Sequence, residues 1–157
     1  MARVLVRTAD LAVGCRGDVL VTEFVGSCVV VLLHDSVAAV GGMAHVLLDS
    51  SVGTDGWLCP GKFADIAVSA LVEAMERCGA LRLRMTARIA GGANMFSGGG
   101  EALDIGTRNI EAVRKGLAAL SIPVVAADVG GSRARSVVFD VSTGAVSVRA
   151  GETRTWL

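Results

Sequence analysis

Residues 28–34, CVVVLLH, are apolar almost throughout, with Gly-Ser before them and Asp-Ser after. A run this short and this rich in β-branched residues predicts a buried strand rather than a helix. Residues 2–7 and 18–23 predict shorter strands, and residues 39–48, AVGGMAHVLL, predict the partner of the central run. Gly41 and Gly42 mark a bulge in that partner or a close approach by another part of the chain. In LRLRMTARI, residues 81–89, Leu81, Leu83, Met85, Ala87 and Ile89 alternate with Arg82, Arg84, Thr86 and Arg88, the pattern of a strand with one wet face. Helical spacing appears twice. In residues 62–79 the stripe is Ile66, Ala70, Leu71, Ala74, Met75 and Cys78, with Gly79 placed to end the helix in a left-handed conformation. From about Asp104 to Leu120 it is Ile105, Ile110, Val113, Leu117 and Leu120. Residues 49–61 read as a loop. Pro123 opens a strand, VVAAD, and Ser142-Thr143-Gly144 joins two last strands, SVVFDV and AVSVR, as a hairpin. The expectation is a single α/β domain over residues 1–157, with seven to nine strands and two main helices.

Composition narrows the function classes. Of the 157 residues, 52% are hydrophobic, enough for a substantial core, and 15 basic residues balance 15 acidic ones. Only 4% are aromatic and there is no tyrosine. The basic stripe with interleaved aromatics that reads nucleic acid is missing, so no nucleic-acid partner is expected. The N-terminal segment lacks the apolar core of a secretory signal, and no apolar run approaches the length of a membrane span. A soluble cytoplasmic protein without membrane insertion is expected. The four cysteines, Cys15, Cys28, Cys59 and Cys78, have no zinc-site spacing and are expected as free thiols, with no metal.

The candidate chemistry lies at the mouth of the central run, where Cys28 follows Gly26 and Ser27. If the two strands form a hairpin centred between Ser36 and Val37, Cys28 and His45 are direct cross-strand partners. An imidazole beside a thiol activates it for attack on a carbonyl carbon, and an imidazolium would lower the thiol's pKa. Gly26 allows a close approach by substrate. The backbone N–H groups of Ser27 and Cys28 could donate to a developing oxyanion. The plainer reading is that Cys28 and His45 are both ordinary core residues. Thr22 could orient the imidazole with its hydroxyl or carbonyl, whereas Asp35 is too far along the hairpin. The segment GGANMFSGGG, residues 91–100, lacks the Gly-Lys-Ser/Thr ending of a phosphate loop. It reads instead as the rim of a cleft, with Asn94 available to an amide substrate and Met43, Met95 and Phe96 as surface or core.

Several stretches together resemble the chemoreceptor glutamine deamidase family, CheD. They are VTEFVGSCVVVLLHD, GGMAHVLLD, PGKFADIAVSALVEAM, IAGGANMF, IGTRNIEAVRKGL and IPVVAADVGGSRARSVVFDVSTG, spanning roughly residues 18–149. The resemblance implies an α/β sandwich with largely antiparallel sheets, flanked by helices and similar to the catalytic cores of deamidating toxins. It implies Cys28 as nucleophile, His45 as base and Thr22 in support, with no cofactor. It also implies receptor glutamines as substrates and a CheC-like phosphatase as partner. Where the family usually carries Leu and Gly-Leu after the threonine, this chain has Glu23-Phe24-Val25. Alternation predicts that Glu23 points away from the face of Thr22. An adaptor that binds the phosphatase without catalysis, and a cysteine peptidase, are the rival readings.

Overall fold

A computed structural model of the chain describes residues 1–95 and 104–157. In chain order the strands are β1 (Arg3–Leu5), β2 (Leu11–Gly14), β3 (Val19–Val25), β4 (Val29–Asp35) and β5 (Val40–Val46), followed by helix α1 (Ala64–Arg77). Then come β6 (Thr86–Gly91), helix α2 (Ile105–Ala119), β7 (Val124–Val129), β8 (Arg135–Asp140), β9 (Val146–Ala150) and β10 (Thr153–Trp156). They form two five-stranded sheets, ordered β1-β3-β8-β9-β10 and β2-β5-β4-β6-β7, and neither closes on itself. The pairs β1–β3 and β6–β7 are parallel and the others antiparallel, as expected for mixed, largely antiparallel sheets.

The unbroken apolar run of β4 is explained by its place at the centre of the second sheet, where every residue is buried. A strand covered on both faces needs no polar alternation. Val29, Val31 and Leu33 face α1 and α2, meeting Leu71, Met75, Val113 and Leu117. Val30 and Leu32 face the first sheet, meeting Leu20, Val137, Phe139 and Val148. The helices therefore cover one face of one sheet and do not flank the pair of sheets. Gly41 and Gly42 mark close approaches on the two faces of β5, with no break in its register with β4. A Cβ on Gly41 would stand 2.7 Å from the Phe139 ring, and one on Gly42 would stand 2.7 Å from Leu71.

Two sequence expectations are corrected, and of the two readings of Met43 the core one holds. Residues 82–84 form a 3-10 turn, so the alternation from Leu81 to Ile89 becomes strand only at Thr86. Leu83 is 94% exposed while Met85, Ala87 and Ile89 are buried. The cause is the Asp35 carboxylate, which accepts from the Leu81 N–H at 2.9 Å and from Arg84 Nε at 2.9 and 3.0 Å. It thereby holds the 81–84 segment across the end of β4. Cys78 falls beyond the last helical residue and is exposed, rather than lying on the apolar stripe of α1. Met43 is fully buried between the sheets and lines no surface. Phe96 lies outside the described residues.

Asp35 also shapes the hairpin. Its Oδ1 accepts from the N–H groups of Val37 and Ala38, and this stabilises a four-residue turn between Asp35 and Val40. Burial alone would push the Asp35 carboxyl up, but Arg84 and the N–H groups of Leu81 and Ala38 outweigh it and hold the pKa at about 2. A depressed carboxylate contributes stability above its unfolded pKa and loses it as pH falls through the folded value. Asp35→Asn is expected to lower the melting temperature at pH 7, by at most roughly 2 kcal/mol of stability. The variant should lack the wild-type loss of stability between about pH 4 and pH 2. Parallel melting curves for the two proteins over that window would refute the assignment.

Candidate active site

The pairing in the central hairpin is displaced from the expected one. Asp35 pairs with Val40 and Val30 with His45, so the hairpin is centred between Val37 and Ala38. The longer turn made by Asp35 accounts for the offset. Cys28, two residues before Val30, belongs to the same inter-sheet cluster as Val30. Cys28 and His45 are thus diagonal neighbours on one face, a relation with about 7–8 Å between Cα atoms and somewhat less between Cβ atoms.

His45 is fully buried, yet well oriented. Its Nδ1 lies 2.8 Å from Thr22 Oγ1, across the gap between the sheets. Thr22 donates its hydroxyl proton to the Val6 carbonyl at 2.6 Å. Its oxygen is left as acceptor, so His45 carries its proton on Nδ1. Nε2 then holds the lone pair, and it has no hydrogen-bond partner among the described residues. The three residues named from sequence are therefore brought together: Thr22 from the first sheet, His45 from the second, and Cys28 on the face they share.

Resting charge differs from the expectation of a thiolate lowered by an imidazolium. Burial pushes the Cys28 thiol above its ordinary value, and its own N–H offsets this only in part. Burial pulls the His45 imidazole below its ordinary value, against smaller opposing effects from the Val6 carbonyl and Asp10. Both groups are neutral at pH 7. Cys28 as a residue keeps 8% of its surface exposed.

A bulge in β3 makes the Thr22 contact compatible with the core. Thr22 pairs with Val137 and Val25 with Arg135, so β3 carries one extra residue between them. Thr22 and Val25 would otherwise point to opposite faces; with the bulge, both are buried. Glu23 is exposed, as alternation predicts. Phe24 adopts a left-handed φ of 56° and is 85% exposed. It borders a groove of about 430 Å³ formed with Leu5, Val6, Arg7, Thr8, Thr22 and Glu23.

The turn that carries Cys28 is held from below. The Gly26 carbonyl accepts from the Ala93 N–H at 2.9 Å and the Cys28 carbonyl from the Gly92 N–H at 2.7 Å. Gly91, at φ 109°, brings its backbone so close to the Cys28 carbonyl and Val25 that a side chain there would collide with both. Asn94 is exposed on the adjoining segment, with its N–H on the Gly131 carbonyl at 2.8 Å, and Met95 lies over Gly26. Two supports carry no motif. Arg135 is buried beneath this segment, bonding to the Gly91, Gly130 and Arg133 carbonyls and to Asp128. Asn109 reaches the turn from α2. A polar residue one turn before Val113 in an apolar stripe is the signal that could have revealed it.

Comparison with known proteins gives these features a setting. A family model described as CheD chemotactic sensory transduction matches residues 47–150. A probable chemoreceptor glutamine deamidase CheD of Clostridium botulinum is 42% identical over 143 residues, which cover 90% of this chain and 88% of that protein. The chemoreceptor glutamine deamidase CheD of Thermotoga maritima is 49% identical over 141 residues, covering 89% of this chain and 87% of its own. The chain belongs to the CheD family. The CheD model match begins two residues beyond His45, so the grouping of Thr22, Cys28 and His45 stands on the geometry described here. Among the described residues of this CheD chain, no helix is long and apolar enough to cross a membrane and no cluster of side chains suits a metal ion.

Thr22→Val removes the acceptor that satisfies the buried His45 N–H. An unfolding curve is expected to show a loss of about 1–3 kcal/mol. Phe24→Gly relieves a left-handed backbone at small cost in buried surface. A gain of up to about 1 kcal/mol is expected, and a loss of that size would show that Phe24 is packed.

Proposed function

We propose that this protein is a chemoreceptor glutamine deamidase that hydrolyses receptor glutamine side chains to glutamate and ammonia. The names borne by its relatives support the substrate class. The observation that carries the chemistry is the bare Nε2 of His45, on the face shared with Cys28, while Nδ1 is committed to Thr22. A cytoplasmic location and a CheC-like phosphatase as regulatory partner belong to the same proposal.

On this reading His45 Nε2 takes the Cys28 proton as sulfur attacks the glutamine δ-carbon. The charge that develops on the amide oxygen is met by the N–H groups of Ser27 and Cys28. Neither donates to a backbone carbonyl among the described residues. The proton now on Nε2 passes to the leaving nitrogen, and the carbon–nitrogen bond breaks to release ammonia and leave a thioester. Nε2 next takes a proton from water; the hydroxide displaces sulfur, and the thiol is re-formed. Thr22 holds the Nδ1–H throughout, which fixes the tautomer and stabilises the passing imidazolium. Proton transfer from neutral thiol to neutral imidazole suits a buried site, because no ion pair has to be kept without substrate.

The test is mass spectrometry of a receptor fragment incubated with wild type and with Cys28→Ala. A gain of about 1 Da per modified glutamine, in wild type alone, is the expected result. No gain alongside intact phosphatase binding would favour an adaptor, and backbone fragments would indicate a peptidase. The base must be neutral to act, and His45 titrates below its ordinary value. The rate constant kcat/KM should therefore be level through neutral pH and fall only below about 6.5. Iodoacetamide at pH 7 should label Cys28 more slowly than the exposed Cys15 and Cys59, as peptide mapping would reveal.

A further inference from the structure

We propose that Asn109 is a positioning residue that aims the oxyanion-binding peptide of the Cys28 turn; this inference rests on the deamidase reading. Asn109 is fully buried on α2. Its single side-chain amide donates at 3.0 Å to the Ser27 carbonyl and at 3.0 Å to the Leu47 carbonyl. One of these lies immediately before the nucleophile and the other just past the end of β5, two residues after His45. Both donor hydrogens are used, and Oδ1 is left buried with no partner among the described residues. The reversed orientation would set an oxygen against two carbonyl oxygens, so the amide can sit only one way round. A buried bare acceptor is a cost, and here it is offset by the two bonds on the other side of the same group.

The Ser27 carbonyl and the Cys28 N–H are the two ends of one peptide unit. In a planar trans peptide they point in opposite directions. By drawing the carbonyl toward α2, Asn109 turns the Cys28 N–H away from α2, where it donates to no backbone carbonyl among the described residues. The peptides on either side are fixed by backbone bonds, from Ala93 to Gly26 and from Gly92 to Cys28. The middle peptide, the one that presents the oxyanion donor, is held by this side chain. It is also tied through Leu47 to the strand that carries the base. Without Asn109 the peptide can rotate out of line with the developing charge, while the thiol and the imidazole remain.

Asn109→Ala and Asn109→Ser test this on a receptor fragment that wild type deamidates, with rates expressed per titrated Cys28 thiol. We expect kcat to fall about 30-fold or more, against the 10²–10³ lost when an oxyanion donor is removed outright. KM and the rate of Cys28 alkylation by iodoacetamide, which needs no oxyanion, should stay within about threefold. A kcat within about threefold of wild type overturns the proposal, as does a loss that appears only in KM or an alkylation rate that falls in step with kcat. If the Ala variant does not fold, Asn109→Ser gives the same readings, because its short hydroxyl cannot span both carbonyls. Wild type that leaves the fragment unmodified would instead defeat the deamidase reading itself.

Discussion

The hydrogen bond between Thr22 and His45 is the contact on which the rest of the site depends. It crosses from one sheet to the other, so it exists only when the two sheets are packed at the correct separation and offset. The core between them, built from Leu20, Val30, Leu32, Met43 and Phe139, is therefore also the device that sets the imidazole. The hydroxyl cannot turn to donate to the ring, because its proton is already given to Val6. A single small side chain thus fixes which nitrogen of His45 carries the proton and which keeps its lone pair.

Burial has opposite consequences for the backbone and for the reacting groups. It makes the architecture rigid, because β4 is covered on both faces and its hydrogen bonds are shielded from water. The same shielding keeps thiol and imidazole uncharged. A small reagent in solution therefore meets a thiol at Cys28 rather than a thiolate.

Much of the fold was legible in the sequence because its strongest signals are local. The Val-rich run, the two helical stripes and the Ser142-Thr143-Gly144 hairpin need no knowledge of distant contacts. The grouping of Cys28 with His45 was legible for a subtler reason. The turn is two residues longer than a hairpin centred between Ser36 and Val37 would have, and a shift of the centre by one whole residue keeps every side chain on the same face. The neighbours changed from direct to diagonal, but they did not part. Other features were hidden because their causes lie far away in the chain. Leu81 and Leu83 alternate like strand residues, yet Asp35, nearly fifty positions earlier, holds the segment as a turn. The edge strand β10, Thr-Arg-Thr-Trp, is exposed throughout and so carries no apolar pattern. Asn109 looked like one more polar position on a helix until its two carbonyl partners were known.

The bulge in β3 has a last consequence. Because Thr22 and Val25 both turn inward, the pair between them is pushed outward as a two-residue blister beside the cleft. Glu23 and Phe24 are exposed, and they border the same groove as Thr22 and Val6. One strand therefore carries a buried hydroxyl at Thr22 and, in the next two positions, the side chains that solvent meets first.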